Sequence, residues 1–407
     1  MRRITRRRAL LAAPLALAGQ NTLTADDWRE DVRFLSTEVQ RLHPGWREES
    51  RRKAFQASVE KMEAAIGRHD EPQIRAGLLR AFHALGDSHS GIPLHALFGQ
   101  QILPVGLYWF ADGIYVAAAS REAIPALGKR VLAIGGREIE TACQALAELI
   151  PHENEWVLRH RLPQYLSFPG LLRAAGMAAP GKATALGYEG GTVDLNPVDM
   201  RSAGGFDRVY DDRKKTPPLY RRNPWLAYWT ARIEPAGTLY FHYSRCENEP
   251  SQPIAAFLQQ VCQEIQSGKV ARLIIDLRLN SGGDSSLLNP LIEFLRGSSV
   301  NRKGRLFGII GRATYSSALI NAVQLTQQTS ITMVGEPTGG KPNHFGEAKQ
   351  IVLPRSNLAA FCSTRHFELL KADPASLLPQ VRAEIQYADH VAGRDPFLEL
   401  ILKRVRS

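Results

Sequence analysis

The chain has 407 residues, 44% hydrophobic and 22% charged, an ordinary globular composition long enough for two or three domains and a sizeable core. Its formal charge of +11 points first to nucleic acid, but five arginines and no acids fall in residues 1–18, and without that segment the charge is +6. The other basic residues form only short clusters such as Arg221-Arg222, with no aromatic–basic RNA motif among them, so no nucleic-acid partner is expected.

In chain order, residues 1–18 come first. MRRITRRRALLAAPLALAG joins an arginine-rich start to an apolar run from Ala9 to Ala18, with small residues at a cleavage point. This is the layout of an export signal peptide, and the paired arginines are similar to a twin-arginine signal. A periplasmic or extracellular protein is the expectation. No later stretch reaches the roughly 18 consecutive apolar residues that suggest a membrane span.

Residues 26–91 read as a helical region. Trp28, Val32, Leu35, Val39 and Leu42 recur at three- and four-residue spacing and stop at His43-Pro44-Gly45. FQASVEKMEAAIGR and PQIRAGLLRAFHALG predict two further helices, the last ending at Gly86 before Asp87-Ser88-His89-Ser90-Gly91. Residues 98–200 are β-rich, with a hairpin through Ala111-Asp112-Gly113, a strand at Val131–Ile134 followed by an amphipathic helix, and a second hairpin around Gly190-Gly191. Residues 201–236 are polar, charged and proline-containing, which predicts a linker. From 237 to 407, continuously apolar strands (TLYFHYS, ARLIIDLRL, RLFGIIG, ITMVG) alternate with helices (SSLLNPLIEFLRG, SSALINAVQLTQQ). That alternation predicts an α/β domain with a parallel sheet covered on both faces. The loops after such strands gather in one crevice, so chemistry is expected there.

Three of those loops carry candidate residues. Gly282 and Gly283 follow the strand LIID, where backbone N–H groups beside glycine can point into open space; a tight turn is the plainer reading. Ser316 and Ser317, in TYSSA, stand where a strand turns into a helix, and either capping or nucleophilic attack would suit a serine there. Glu336 and Lys341 lie in VGEPTGGKPN. A serine hydroxyl needs a base; Lys341 with a pKa lowered by burial, or His89 with its near-neutral pKa, could serve. The eleven histidines contain no HExxH and the four cysteines no CxxC, so no metal or other cofactor is expected, and buried free thiols are expected for the cysteines.

Together, IIDLRLNSGG, TYSSALINA and VGEPTGGKPN, in this order, resemble the tail-specific (C-terminal processing) serine peptidases over roughly residues 237–350. LGDSHSG is similar to the N-terminal region of the branch related to interphotoreceptor retinoid-binding protein and the tricorn core protease. The resemblance implies a ClpP/crotonase-like catalytic domain, hydrolysis of a peptide or protein substrate, and Ser316 as nucleophile. In the processing branch the base is a lysine 25 residues after the serine, which is Lys341 here. In the tricorn-like branch a Ser-His pair helps instead, matched by Ser88-His89, with Glu336 as candidate acid. The Ser317 N–H would join Gly282 or Gly283 as the oxyanion hole. LGKRVLAIGG is similar to part of a PDZ-like domain, and peptide capture by the middle region follows from that similarity. Two other readings stay open: a peptide- or ligand-binding protein that has lost catalysis on the same scaffold, and an acyl-CoA enzyme of the crotonase type, against which the export signal argues.

Overall fold

The structure, a computed structural model, describes residues 23–211, 215–234 and 237–404. The export segment therefore lies outside the described residues. The three expected N-terminal helices are Ala25–Leu42, Glu49–Ala65 and Glu71–Leu85. Thr24 and Asp27 form a capping box at the first, and Asp70 and Gln73 another at the third, so orphan N–H groups of each first turn are satisfied. Trp28, Val32, Leu35 and Val39 are buried along one face, as their spacing requires. The third helix stops at Gly86, whose φ of 66° is costly for any residue with a Cβ, and this turn delivers Asp87, Ser88 and His89.

In the middle region, Val105–Phe110 pairs antiparallel with Gly113–Ala119, and Thr184–Tyr188 with Gly191–Leu195. The helix after Val131–Ile134 is Ile139–Ala147. Two more helices, Glu155–Tyr165 and Pro169–Ala174, occupy the arginine- and leucine-rich stretch between the hairpins.

The C-terminal third holds a six-stranded sheet in the order Tyr228–Ile233, Thr238–Tyr243, Arg272–Asp276, Leu306–Ile310, Thr332–Gly335, Val381–Arg382. The first pair is antiparallel and all the others are parallel. The expected linker thus ends sooner than 236, because Tyr228–Ile233 is a strand. It pairs along one side only, with Thr230, Ala231 and Ile233 half-buried and Arg232 exposed, so it lacks the continuous apolar run that marks the inner strands.

Side chains from the helical and middle regions build one core, and two more form on the faces of the large sheet. The hairpin Lys349–Val352/Ala359–Cys362 leaves the C-terminal third and places Ile351, Leu353, Leu358, Ala360 and Cys362 in the first core. Phe361 exchanges both backbone hydrogen bonds with Gly91, at 2.8 and 3.0 Å, which fixes the loop bearing Ser88 and His89. All four cysteines are free, and three of them are buried. Among the described residues, no helix is long and apolar enough to cross a membrane.

Candidate active site

The loop after Arg272–Asp276 and the loop after Leu306–Ile310 meet at the ends of neighbouring parallel strands. Thr314 stitches them: its hydroxyl donates to the Leu277 carbonyl at 2.8 Å and accepts from the Gly311 N–H at 3.0 Å. Tyr315 N–H donates to the Asn280 carbonyl at 3.0 Å. Asn280, fully buried, donates to the Tyr243 carbonyl and accepts the Gly282 N–H at 2.9 Å. These bonds leave Ser316 at the strand-to-helix junction with φ 51° and ψ −128°, a conformation rare for a residue with a side chain. Ser316 is the N-cap of Ser317–Gln328 by position, yet its hydroxyl makes no capping bond. Capping therefore does not account for it, and strain of this kind is held where surrounding contacts over-determine it.

Gly282 approaches so closely that a Cβ there would lie 2.7 Å from Ser316 Cβ. Its φ of 112° and that of Gly283, 131°, both demand glycine. Gly282 N–H is engaged by Asn280 and is not free to bind a ligand atom, which narrows the pair expected from the sequence. Among the described residues, the N–H groups of Gly283 and Ser317 have no protein acceptor. The Ser317 hydroxyl is taken up by the Gly283 carbonyl at 2.5 Å, so Ser317 offers its backbone alone.

Ser88 and His89 reach the residue next to Ser316. Tyr315 Oη lies 2.5 Å from Ser88 Oγ and 2.8 Å from His89 Nδ1, and the His89 and Tyr315 rings stack with centroids 4.3 Å apart. His89 Nε2 is buried without a hydrogen-bond partner. Burial pushes the His89 imidazole down to about 4, against the opposing pull of Asp87, so it is neutral at neutral pH. Asp87 is buried and accepts from His43 Nε2 at 3.1 Å, Ser90 Oγ at 2.5 Å and His89 N–H at 2.9 Å. Burial raises its pKa, but the bond from His43 and the imidazole charges outweigh that and leave it well below the usual range. Glu153 Oε1 accepts the Ser88 N–H at 2.9 Å; burial, then the charge of Asp87, raises its pKa. Arg161 donates to the Ser88 and Pro151 carbonyls, both at 2.9 Å.

Two expected residues are placed elsewhere. Lys341 Nζ pairs with Asp373 at 2.5 Å, and neither Lys341 nor His89 makes a hydrogen bond to Ser316. Glu336 is buried but gripped by Arg312, at 2.8 and 2.5 Å, so it is not the acid beside His89. Arg312 also donates to the Trp109 carbonyl at 2.6 Å, which makes that pair a tie between the sheet and the middle region. Asp87, His89 and Glu153 bring ligand-type atoms within 4.8 Å of one another. Asp87 and one Glu153 oxygen already serve protein donors, so the group reads as a hydrogen-bonded cluster rather than a chelate.

Sequence reasoning missed Tyr315, Asp87, Glu153 and Arg161. Asp87 and Tyr315 sat inside quoted motifs, and their polar neighbours were the available signal. Glu153 and Arg161 carry no local mark, since their contacts to Ser88 span 65 and 73 residues.

The described architecture is the expected one: an α/β fold with a helical N-terminal region, a β-rich middle and a largely parallel C-terminal sheet. It is the fold of mature CPAF, to which the chain is 12% identical over 94% of its own length and 97% of that chain, with a TM-score of 0.64. Mature CPAF complexed with lactacystin matches at 12% identity and a TM-score of 0.63, covering 95% and 98%. The photosystem II D1 C-terminal processing protease is 14% identical over 87% of this chain and 93% of that one, at a TM-score of 0.40. No protein-family model and no curated protein matches the chain.

Proposed function

We propose that the protein is an exported serine peptidase of the tail-specific kind, with Ser316 as nucleophile and His89 as general base. The observation that carries this reading is Ser316 itself, held at φ 51° with an uncapping hydroxyl beside two acceptor-free N–H groups. The CPAF fold supports it, as do the three loop motifs. Export and a periplasmic location are supported by the arginine-rich, then apolar, residues 1–18.

Ser316 Oγ attacks the carbonyl carbon of a peptide bond while His89 accepts its proton. The tetrahedral oxyanion is bound by the N–H groups of Gly283 and Ser317, at the positive end of the helix they open onto. The C–N bond then breaks, the amine leaving with the proton from His89, and an acyl ester remains on Ser316. Water, deprotonated by His89, hydrolyses the ester and releases a carboxylate product. His89 rather than Lys341 takes the base role because it is neutral and has a bare ring nitrogen, whereas Lys341 is ion-paired.

The test is hydrolysis of an unfolded protein substrate by the purified chain, with new termini mapped by mass spectrometry. Cleavage that disappears in Ser316→Ala is expected. Cleavage equal in the two proteins overturns the assignment, and a chain that binds the substrate without cutting it is a binding protein on this scaffold.

A further inference from the structure

A cleft of about 620 Å³ opens between the middle region and the C-terminal third, and Ser316 is not among its walls. Its apolar residues include Val105 and Leu107 from the first hairpin, Pro163 and Phe168 from the helix Glu155–Tyr165 and the turn after it, and Phe206. Its cations are Arg159, Arg208, Arg221 and Arg312, joined by His160 and His390, and no aspartate or glutamate lines it. The carboxylates that pair with two of these arginines, Glu155 and Glu384 with Arg159 and Glu336 with Arg312, stand outside the lining. Among the described residues Arg208, which is exposed, has no acidic partner. Burial, then the charges of Arg161 and Arg312, lowers the His160 pKa to about 4, so this imidazole faces the cleft neutral, with an N–H to donate.

We propose that this cleft is a docking site for polypeptide segments in which acidic and apolar residues alternate, held apart from the bond that Ser316 attacks. That the bound chain is the substrate rests on the peptidase reading; its chemistry does not. Apolar walls set with cations and no carboxylate attract a partner that carries its own carboxylates and repel a basic one. The strand Val105–Phe110 lies at the edge of its sheet, but it has little room for an added strand. The Trp109 carbonyl accepts from Arg312 at 2.6 Å, the Ala111 N–H is bound by the Ile385 carbonyl at 3.0 Å, and the Val105 N–H by that of Leu103 at 2.8 Å. With those groups taken, the segment is chosen by its side chains and not by the strand addition through which PDZ domains take peptides. No wall of the cleft comes from the helix Ile139–Ala147, on which a second cavity beside the hairpin opens. Arg312 stands in the same strand-end loop as Ser316, so a chain held in the cleft lies beside the loop that carries the nucleophile.

The test uses the full chain carrying Ser316→Ala, so that a bound peptide survives, and two fluorescent peptides with the same apolar residues. One peptide interleaves them with aspartate and glutamate, the other with lysine. By fluorescence anisotropy the acidic peptide should bind at least about tenfold tighter, an advantage that shrinks as salt is raised. Arg208→Glu, added to this chain, should weaken the acidic peptide about tenfold with thermal stability little changed. Lys269→Glu makes the same change of charge at an exposed turn outside the cleft and should alter binding less than about twofold. Equal affinity for the two peptides overturns the proposal. So does Arg208→Glu without effect, or an equal loss in the two variants, which would make net charge the cause. In the chain with Ser316 intact, Arg208→Glu should raise KM for an acidic unfolded protein more than for a basic one. A protein that binds the acidic peptide through Arg208 and cuts nothing overturns the peptidase reading alone, and the cleft stands as an acidic-peptide site.

Discussion

Lys341 and His89, the two candidate bases for Ser316, stand in opposite electrostatic conditions. Lys341 is ion-paired to Asp373 at the rim, whereas His89 is buried and neutral with an unpartnered nitrogen. Replacing Lys341 by alanine should change the acylation rate at Ser316 by less than about threefold, whereas His89→Ala should lower it at least about a hundredfold; competitive labelling of the two variants checks this. The pH profile follows from the same groups. His89 faces Asp87, Glu153, Arg161 and His344, and burial wins, so its pKa is lowered to about 4. Only the neutral imidazole accepts a proton, so acylation should hold on descending from pH 7 and fall as pH drops through about 4, not through 6.5. A lowered folded pKa also makes stability fullest above the unfolded value near 6.5 and lost progressively toward 4. Urea midpoints measured at pH 7 and pH 5 should therefore decline in acid.

Among elements, the two strand-end loops act as one piece. Gly282→Ala would add a Cβ 2.7 Å from Ser316 Cβ and force an L side chain to φ 112°. Neither Ser316 nor Asn280 can retreat without breaking the bonds that join the loops. Acylation should fall at least about a hundredfold, and stability by about 1–3 kcal/mol for the strained backbone; labelling rate and a denaturation curve measure the two separately. These loops were legible in the sequence because each directly follows an apolar run bounded by glycine or serine, so strand, turn and helix could be placed without tertiary information. The Ser88–His89 turn was legible for the same reason, ending a helix at a left-handed Gly86. The partners of His89 were not. Tyr315 meets it across 226 residues, and Glu153 reaches Ser88 across 65, so only folding brings them together. Glu336 misled because an acid near a candidate base looks catalytic until Arg312 is seen to hold it.

At the scale of the whole molecule, buried ion pairs and one returning hairpin tie the parts together. Arg278, almost wholly buried, bonds Asp276 on the sheet and both oxygens of Asp395, which precedes the C-terminal helix Pro396–Arg404. Asp395→Ala would leave part of a buried guanidinium uncompensated and should cost about 3–5 kcal/mol in urea unfolding. The hairpin at 349–362 has the corresponding role for the site, since its Phe361 fixes the Gly91 backbone beside the Ser88–His89 turn. On the proposed reading the C-terminal third alone lacks the base, so peptidase activity requires all parts of the chain in place. The most direct measurement of that reading is intact-mass analysis of the folded protein after fluorophosphonate treatment, followed by peptide mapping. A single adduct on Ser316, absent in Ser316→Ala, is the predicted result; no adduct, or one on Ser317 or another serine, would contradict it.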